Sequence, residues 1–153
     1  MIKWLLVISY WSLVIGEGTM VLRVQVSSRG RSDLIDITEK IRALVRESKV
    51  QDGICFLYVP HTTAGILINE NADPSVARDI LNELERLIPW DGHYQHREGN
   101  AAAHIKSSLA GASETIFIEA GELALGTWQG IYLAEFDGPR QRNVWVKFLA
   151  TQK

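Results

Sequence analysis

The chain predicts an α+β fold in a single domain: an antiparallel sheet or sandwich with a few helices. Three observations carry that expectation. Strand-like and helix-like runs mix without a regular βαβ alternation, which argues against a parallel sheet. The last third, from Glu114 on, is almost entirely strand-like runs separated by glycine turns, the pattern of hairpins. At 153 residues, with hydrophobic content of 46% and charged content of 22%, there is enough chain for one sizeable core and no excess for a second.

Each element follows from local chemistry. Val21 to Val26 alternates around Arg23 and Gln25, a half-exposed strand, and Ser27 to Ser32 is a polar turn. Asp36 with Glu39 three residues on resembles a capping box, and Ile41, Leu44, Val45 and Ser48 keep helical spacing behind it. Asp52-Gly53 turns the chain into Ile54 to Val59, a continuous apolar run read as a buried strand. Ile66 to Ile68 is a short strand. Asp73-Pro74 starts a helix whose stripe is Val76, Ile80, Leu84, Leu87 and Ile88, and Pro89 ends it. Trp90 to Asn100 is loop. Ala101 to Ala110 is a short helix with Asn100 as N-cap and Gly111 as stop. Strands are expected over Glu114 to Glu119, Thr127 to Phe136 and Asn143 to Leu149, with Asp137-Gly138-Pro139-Arg140 turning between the last two.

Composition excludes several partners. The net charge of -2 leaves no global basic surface for nucleic acid, and none is expected as a partner. The single cysteine, Cys55, lies inside an apolar run and reads as a buried core thiol; a chain with one cysteine has no internal disulfide, which suits a cytoplasmic location. Trp4 to Ile15 is mostly apolar but only twelve residues long, against about 20 for a membrane span, so no membrane partner is expected. Three readings fit residues 1–19: a leftover from an upstream start codon with Met20 as the effective beginning, an extra β-strand, or a secretion signal. The domain proper is taken as 20–153.

The chemistry gathers around histidine. All four histidines lie between 61 and 104. His61 follows the predicted buried strand and precedes Thr62 and Thr63, whose hydroxyls can orient an imidazole or bind an oxyanion. His96 sits in the loop, two residues before Glu98, and His104 falls about one turn into the short helix, near an N-terminus that favours anions. Three imidazoles can hold Zn²⁺ with an open fourth position, so His61, His96 and His104 are a candidate ligand set, although no HExxH pattern is present. His93 reads as a surface residue. Glu70 and Glu98 suit partners that fix a histidine tautomer, or Mg²⁺ ligands. Asn69 suits a turn or a ligand hydrogen bond. Trp128, flanked by Gly126, Gln129 and Gly130, reads either as core or as a wall for a planar ring whose edge Gln129 bonds. Lys106, Arg140 and Arg142 are candidate anion donors beside the alternative of solvated or turn positions.

Several of these segments occur together in a known family. His61-Thr62-Thr63-Ala64, Asn69-Glu70-Asn71-Ala72-Asp73-Pro74, Tyr94 to His104 with Ile105-Lys106-Ser107-Ser108, and Gly126-Thr127-Trp128-Gln129-Gly130 resemble the YjbQ-like family, usually labelled secondary thiamine-phosphate synthase enzyme. The resemblance covers about residues 20 to 150 and leaves 1–19 outside. It implies a small α+β fold dominated by an antiparallel β-sandwich and a homotrimer. It also implies one shared site of His61, His96, His104, Asn69, Glu70, Trp128 and Gln129. The activity it implies is condensation of a pyrimidine diphosphate with a thiazole phosphate, a secondary activity beside which the physiological reaction can differ. On this reading His61, His96, His104 and Glu98 are the catalytic candidates. Thr62, Asn69, Glu70, Lys106, Trp128, Gln129 and Arg140 bind a small phosphorylated substrate, with a divalent metal, Zn²⁺ or Mg²⁺, as candidate cofactor. Two alternatives stand beside it: a metal-dependent hydrolase on the three histidines, and a non-catalytic trimer that binds an anion.

Overall fold

The computed structural model describes residues 20–151; the expectations for residues 1–19 lie outside them. The described residues form β1 (Leu22–Ser27), β2 (Asp33–Asp36), α1 (Thr38–Ser48), β3 (Gly53–Tyr58), β4 (Ala64–Glu70), α2 (Pro74–Leu87), α3 (Ala101–Ala110), β5 (Ser113–Glu119), β6 (Glu122–Leu123), β7 (Gln129–Glu135) and β8 (Gln141–Ala150). Every strand pair is antiparallel. Five strands form one sheet in the order β1-β8-β3-β5-β6, and three form a second in the order β2-β7-β4. The α+β reading holds.

One core joins the two sheets. Val26, Leu57, Ile118, Val144 and Val146 from the five-stranded sheet meet Ile66, Ile131 and Leu133 from the three-stranded one, together with Ile41 and Val45 of α1. Each fully buried aliphatic side chain here contributes about 1.5–3 kcal/mol. A second cluster lies over the three-stranded sheet. Ala103 of α3, Ala134 and Phe136 are its buried centre, and Leu34, Leu67, Leu81 and Leu84 pack around them. The three-stranded sheet is therefore covered on both faces. That is why β7 is buried from Gly130 to Glu135 with no polar-out alternation.

Local starts and stops agree with the sequence in type more than in detail. Asp73 Oδ1 accepts from the Ser75 N–H at 2.8 Å, and Pro74 opens α2 as expected. The α1 cap sits one residue later than the sequence suggests: Asp36 ends β2, and its Oδ1 accepts from both the N–H (2.8 Å) and the hydroxyl (2.5 Å) of Thr38. The β2 strand itself was not expected. Leu34 and Ile35 are too short a run to announce a strand, and they become one by pairing with Ala134 and Leu133 of β7. β4 is longer than the expected Ile66 to Ile68 because its ladder with β7 runs unbroken from Ala64 to Glu70. Leu87, expected on the buried stripe of α2, is 58% exposed, since that stripe covers the sheet only as far as Leu81 and Leu84. Asn100 precedes α3 as foreseen but makes no side-chain cap; its amide donates to Asp137 Oδ2 at 3.2 Å instead.

Candidate functional site

The ladder between β3 and β8 ends at Tyr58 opposite Trp145. Continued by two residues, it would set Pro60 against Asn143. The chain leaves the sheet there, and the N–H of Asn143 would lose its strand partner. His61 replaces it: its Nε2 accepts from the Asn143 N–H at 3.0 Å. An imidazole nitrogen that accepts carries no proton, so His61 is the neutral tautomer with its proton on Nδ1. Burial holds the His61 pKa below its usual value; the Arg142 charge adds to this and Glu135 opposes it.

A buried ion pair lies behind that histidine. Arg142 is 7% exposed and Glu135 0%. Arg142 Nε and Nη2 donate to the two Glu135 oxygens at 2.7 and 2.6 Å, and Nη2 also donates to Thr63 Oγ1 at 2.8 Å. Glu135 further accepts from the Ser28 hydroxyl and from the N–H groups of Phe136 and Asp137. A buried bidentate pair with this many further bonds can sit in a core without an orphaned charge. It ties β7, β8, the turn after β1 and the loop after His61 into one frame.

The opposite wall is α3. The Ser107 hydroxyl donates to Thr62 O at 2.6 Å and His104 O at 2.9 Å, locking the helix to the His61 loop. The helix can approach because residue 65 is glycine: a Cβ there would lie 2.6 Å from Gly111 O and 2.9 Å from Ala110 Cβ. Ile66 N donates to that same Gly111 carbonyl at 2.9 Å. Between the walls lies an open cleft of about 430 Å³ lined by His61, Thr62, Ala64, His104, Ser107 and Ser108, with Gly111 and Ala112 at its end.

His96 stands edge-on to His104, with ring centroids 5.1 Å apart and planes at 90°. Its Nε2 lies 3.8 Å from Glu98 Oε2, and both side chains are largely exposed, so this pair is weak. The structure thus brings His61, Thr62 and His104 to one cleft, with His96 beside His104. His93 is exposed, as expected of a surface residue.

The expected three-histidine ligand set is not assembled in one chain. Among the described residues no group of three or more His, Cys, Asp or Glu side chains is placed to hold a metal ion. The tautomer is a second obstacle at His61: with Nε2 accepting and Nδ1 protonated, neither nitrogen offers a metal a lone pair. Lys106 differs from expectation too. It is 1% exposed, and its ammonium bonds Glu85 of α2 instead of facing the cleft. Arg140 donates to Asp137 through Nε to the carbonyl at 2.7 Å and through Nη2 to Oδ2 at 2.9 Å.

The largest rearrangement concerns Asn69, Glu70, Trp128 and Gln129. In the β4–β7 ladder Ala64 pairs with Glu135 at one end and Glu70 with Gln129 at the other. His61 belongs to the first end and Trp128 to the second. Six strand steps separate them, about 20 Å. At the far end Asn69 Oδ1 accepts from Glu70 N at 2.8 Å, Tyr132 donates its hydroxyl to Glu70 O at 3.1 Å, and Gln129 Oε1 accepts from Gly126 N at 2.8 Å. Trp128 is 65% exposed and is not core. In one chain these four residues do not share a pocket with His61.

Sequence reasoning missed Glu135 altogether, and with it the role of Arg142, which binds Glu135 and not a phosphate. One signal was present: Glu135 is the charge at the end of the apolar run Ile131-Tyr132-Leu133-Ala134. Cys55, read as buried, is 0% exposed, and burial pushes its thiol up to about 12.

The chain is similar to known proteins in sequence and fold. A family model described as "UPF0047 protein YjbQ-like" matches residues 22–151. The UPF0047 protein MJ1081 of Methanocaldococcus jannaschii is 57% identical over 130 residues, 85% of this chain and 94% of that protein. UPF0047 protein YugU of Bacillus subtilis is 47% identical over 131 residues, 85% of this chain and 99% of its own. Among solved structures, a YjbQ/UPF0047 protein of Clostridium acetobutylicum superposes with a TM-score of 0.82 at 53% identity, covering 84% of this chain and 99% of that one. A protein of unknown function from Sulfolobus solfataricus does so with a TM-score of 0.83 at 32% identity, covering 88% and 99%.

Proposed function

The chain belongs to the YjbQ-like UPF0047 family, and on that premise we propose that it is a small-molecule enzyme working at the His61–His104 cleft. The observation that carries this reading is the pairing of two unlike imidazoles in one cleft. His61 is held neutral by its bond to Asn143, and its Nδ1–H is a fixed hydrogen-bond donor. His104 has no ring hydrogen bond among the described residues, so its ring nitrogens are open to a ligand. A fixed donor beside a second, unbonded imidazole suits the binding of an anionic oxygen and the transfer of a proton to it.

The substrate class is a small phosphorylated compound, and the reaction is the one the family resemblance implies. The thiazole nitrogen of a thiazole phosphate attacks the methylene carbon of a pyrimidine diphosphate. A C–N bond forms, the C–O bond to the diphosphate breaks, and pyrophosphate leaves with the electron pair. His61 donates to a phosphate oxygen, and His104 delivers a proton to the departing pyrophosphate. Arg140 is the cation nearest to service: its side chain is 53% exposed, and a phosphate can replace Asp137 on its guanidinium.

The test is thiamine-phosphate formation from the two substrates by wild type, His104→Gln and His61→Gln. Wild type turns over and each variant loses about 10²-fold or more in kcat. Wild-type turnover that survives both substitutions places the chemistry elsewhere. Binding of the pyrimidine diphosphate at the cleft without any turnover leaves a ligand-binding protein and removes the enzyme.

A further inference from the structure

We propose that Asn100 is a positioning residue: diphosphate binding at Arg140 frees Asp137 to hold Asn100 more tightly, and this seats helix α3 with His104. This inference rests on reading the cleft as the site of a phosphorylated substrate.

The β7–β8 turn is the rigid part. Asp137 N donates to Glu135 Oε1 at 2.9 Å, Gly138 N to Arg31 O at 3.0 Å and Arg140 N to Ser28 Oγ at 2.8 Å. Ser28 N donates back to Arg140 O at 2.9 Å. Gly138 lies tight against the loop after β1, since a Cβ there would stand 2.3 Å from Gly30 O. The turn also meets both walls of the cleft. Phe136 N donates to Thr63 O at 3.1 Å, next to the cleft-lining Thr62, and Asn100 stands one helical turn before His104.

Two donors compete for one oxygen of this turn. Asp137 Oδ2 accepts from Arg140 Nη2 at 2.9 Å and from Asn100 Nδ2 at 3.2 Å. The guanidinium bond is shorter and charge-assisted, and the amide bond is the weaker of the two. Asn100 is otherwise under-bonded: its Oδ1 is buried and has no partner among the described residues. The Arg140 side chain is 53% exposed and that of Asp137 15%, so an incoming anion meets the guanidinium first.

An anion on Arg140 removes the stronger competitor from Oδ2. The amide bond then strengthens, because an oxygen freed of one donor offers its full charge to the other. With the main chain of the turn fixed, the adjustment falls on Asn100. Its carbonyl accepts from Ala103 N at 3.0 Å and from His104 N at 3.4 Å, so the pull reaches the first turn of α3 and the backbone of His104. Anion binding at Arg140 and the seating of His104 are thereby coupled, and the coupling is reciprocal.

Inorganic pyrophosphate is the probe, in a double-mutant cycle of Arg140→Gln and Asn100→Ala. Arg140→Gln weakens its binding about tenfold, and Asn100→Ala about fivefold. In the Arg140→Gln background Asn100→Ala changes affinity less than about twofold, since no competitor is left to displace. Asp137→Asn keeps the shape and drops the charge that holds Arg140, so it binds pyrophosphate about threefold tighter than wild type. Hydrogen exchange at the His104 amide slows with pyrophosphate in wild type and not in Asn100→Ala. Effects that simply multiply overturn the proposal, as do an Asp137→Asn variant that binds no tighter and a wild type that binds no pyrophosphate. Asp137→Asn still decides the matter if Asn100→Ala does not fold. None of these readouts needs turnover. Coupling without thiamine-phosphate formation removes the proposed reaction and keeps the role of Asn100; turnover with multiplying effects does the reverse.

Discussion

His61 accepts the main-chain N–H of Asn143 through Nε2 at 3.0 Å, taking the place of the strand carbonyl that Pro60 does not supply. The imidazole thereby closes the open end of the β3–β8 ladder and gains a fixed tautomer from the same bond.

That bond requires the neutral ring. His61 is therefore expected to titrate below 6.5, with burial as the main cause and the Arg142 charge second. A histidine whose folded pKa is depressed stabilises the fold fully above the unfolded value, and the contribution is lost as pH falls through and below that value. The melting temperature of wild type should drop more steeply than that of His61→Gln between pH 7.5 and about pH 5. NMR titration of the ring gives the pKa itself, and a value above 6.5 contradicts the assignment.

Glu135→Gln should be severe. It keeps the shape but leaves the Arg142 guanidinium, 7% exposed, without its counter-charge. The expected cost is about 3–5 kcal/mol in denaturant unfolding. Replacing both residues by methionine should cost clearly less, because no charge is then stranded. A loss under about 1 kcal/mol for the single change would show that the pair is not what holds this frame.

Gly65→Ala tests the seat of α3. The added methyl meets the Gly111 carbonyl and Ala110 Cβ, both on or next to the helix end. Neither is the free end of a flexible side chain, so the helix must move, at about 1–3 kcal/mol. The Ile66 amide, bonded to Gly111 O, should exchange with solvent markedly faster than in wild type. Unchanged exchange would mean that the helix is not held by this contact.

Lys106 separates a structural strut from a substrate ligand. Its buried ammonium is partnered by Glu85, whose side chain is 48% exposed. Lys106→Met keeps the stem and frees Glu85 to turn to water, so stability should fall by less than about 1.5 kcal/mol. Lys106→Ala opens a cavity and should cost about 2 kcal/mol or more. Similar losses for both, with binding of the pyrimidine diphosphate weakened tenfold in each, would return Lys106 to the substrate.

Much of this was readable from local pattern. Asp73-Pro74 announced α2 because a carboxylate and a missing N–H both suit the first turn of a helix. The apolar run at Ile54 announced β3, and Ala101 to Ala110 announced α3 with its bounds. His61 and His104 were singled out by residue type and company, and the fold does bring them together. β2 was not readable, since Leu34 and Ile35 become strand only through β7. Glu135 was not readable either: a glutamate in a strand normally faces water, and only the guanidinium from β8 makes its burial tolerable.

The sequence by itself determined the kinds of element, the family, and the residues that carry chemistry, because period, capping and motif act over a few neighbouring residues. Only the tertiary structure decided where those residues stand. Antiparallel register between β4 and β7 sends the His61 loop to one end of the sheet and the Trp128 turn to the other, though a motif list sets them side by side. Register depends on pairing between strands some 60 residues apart, which no local pattern records.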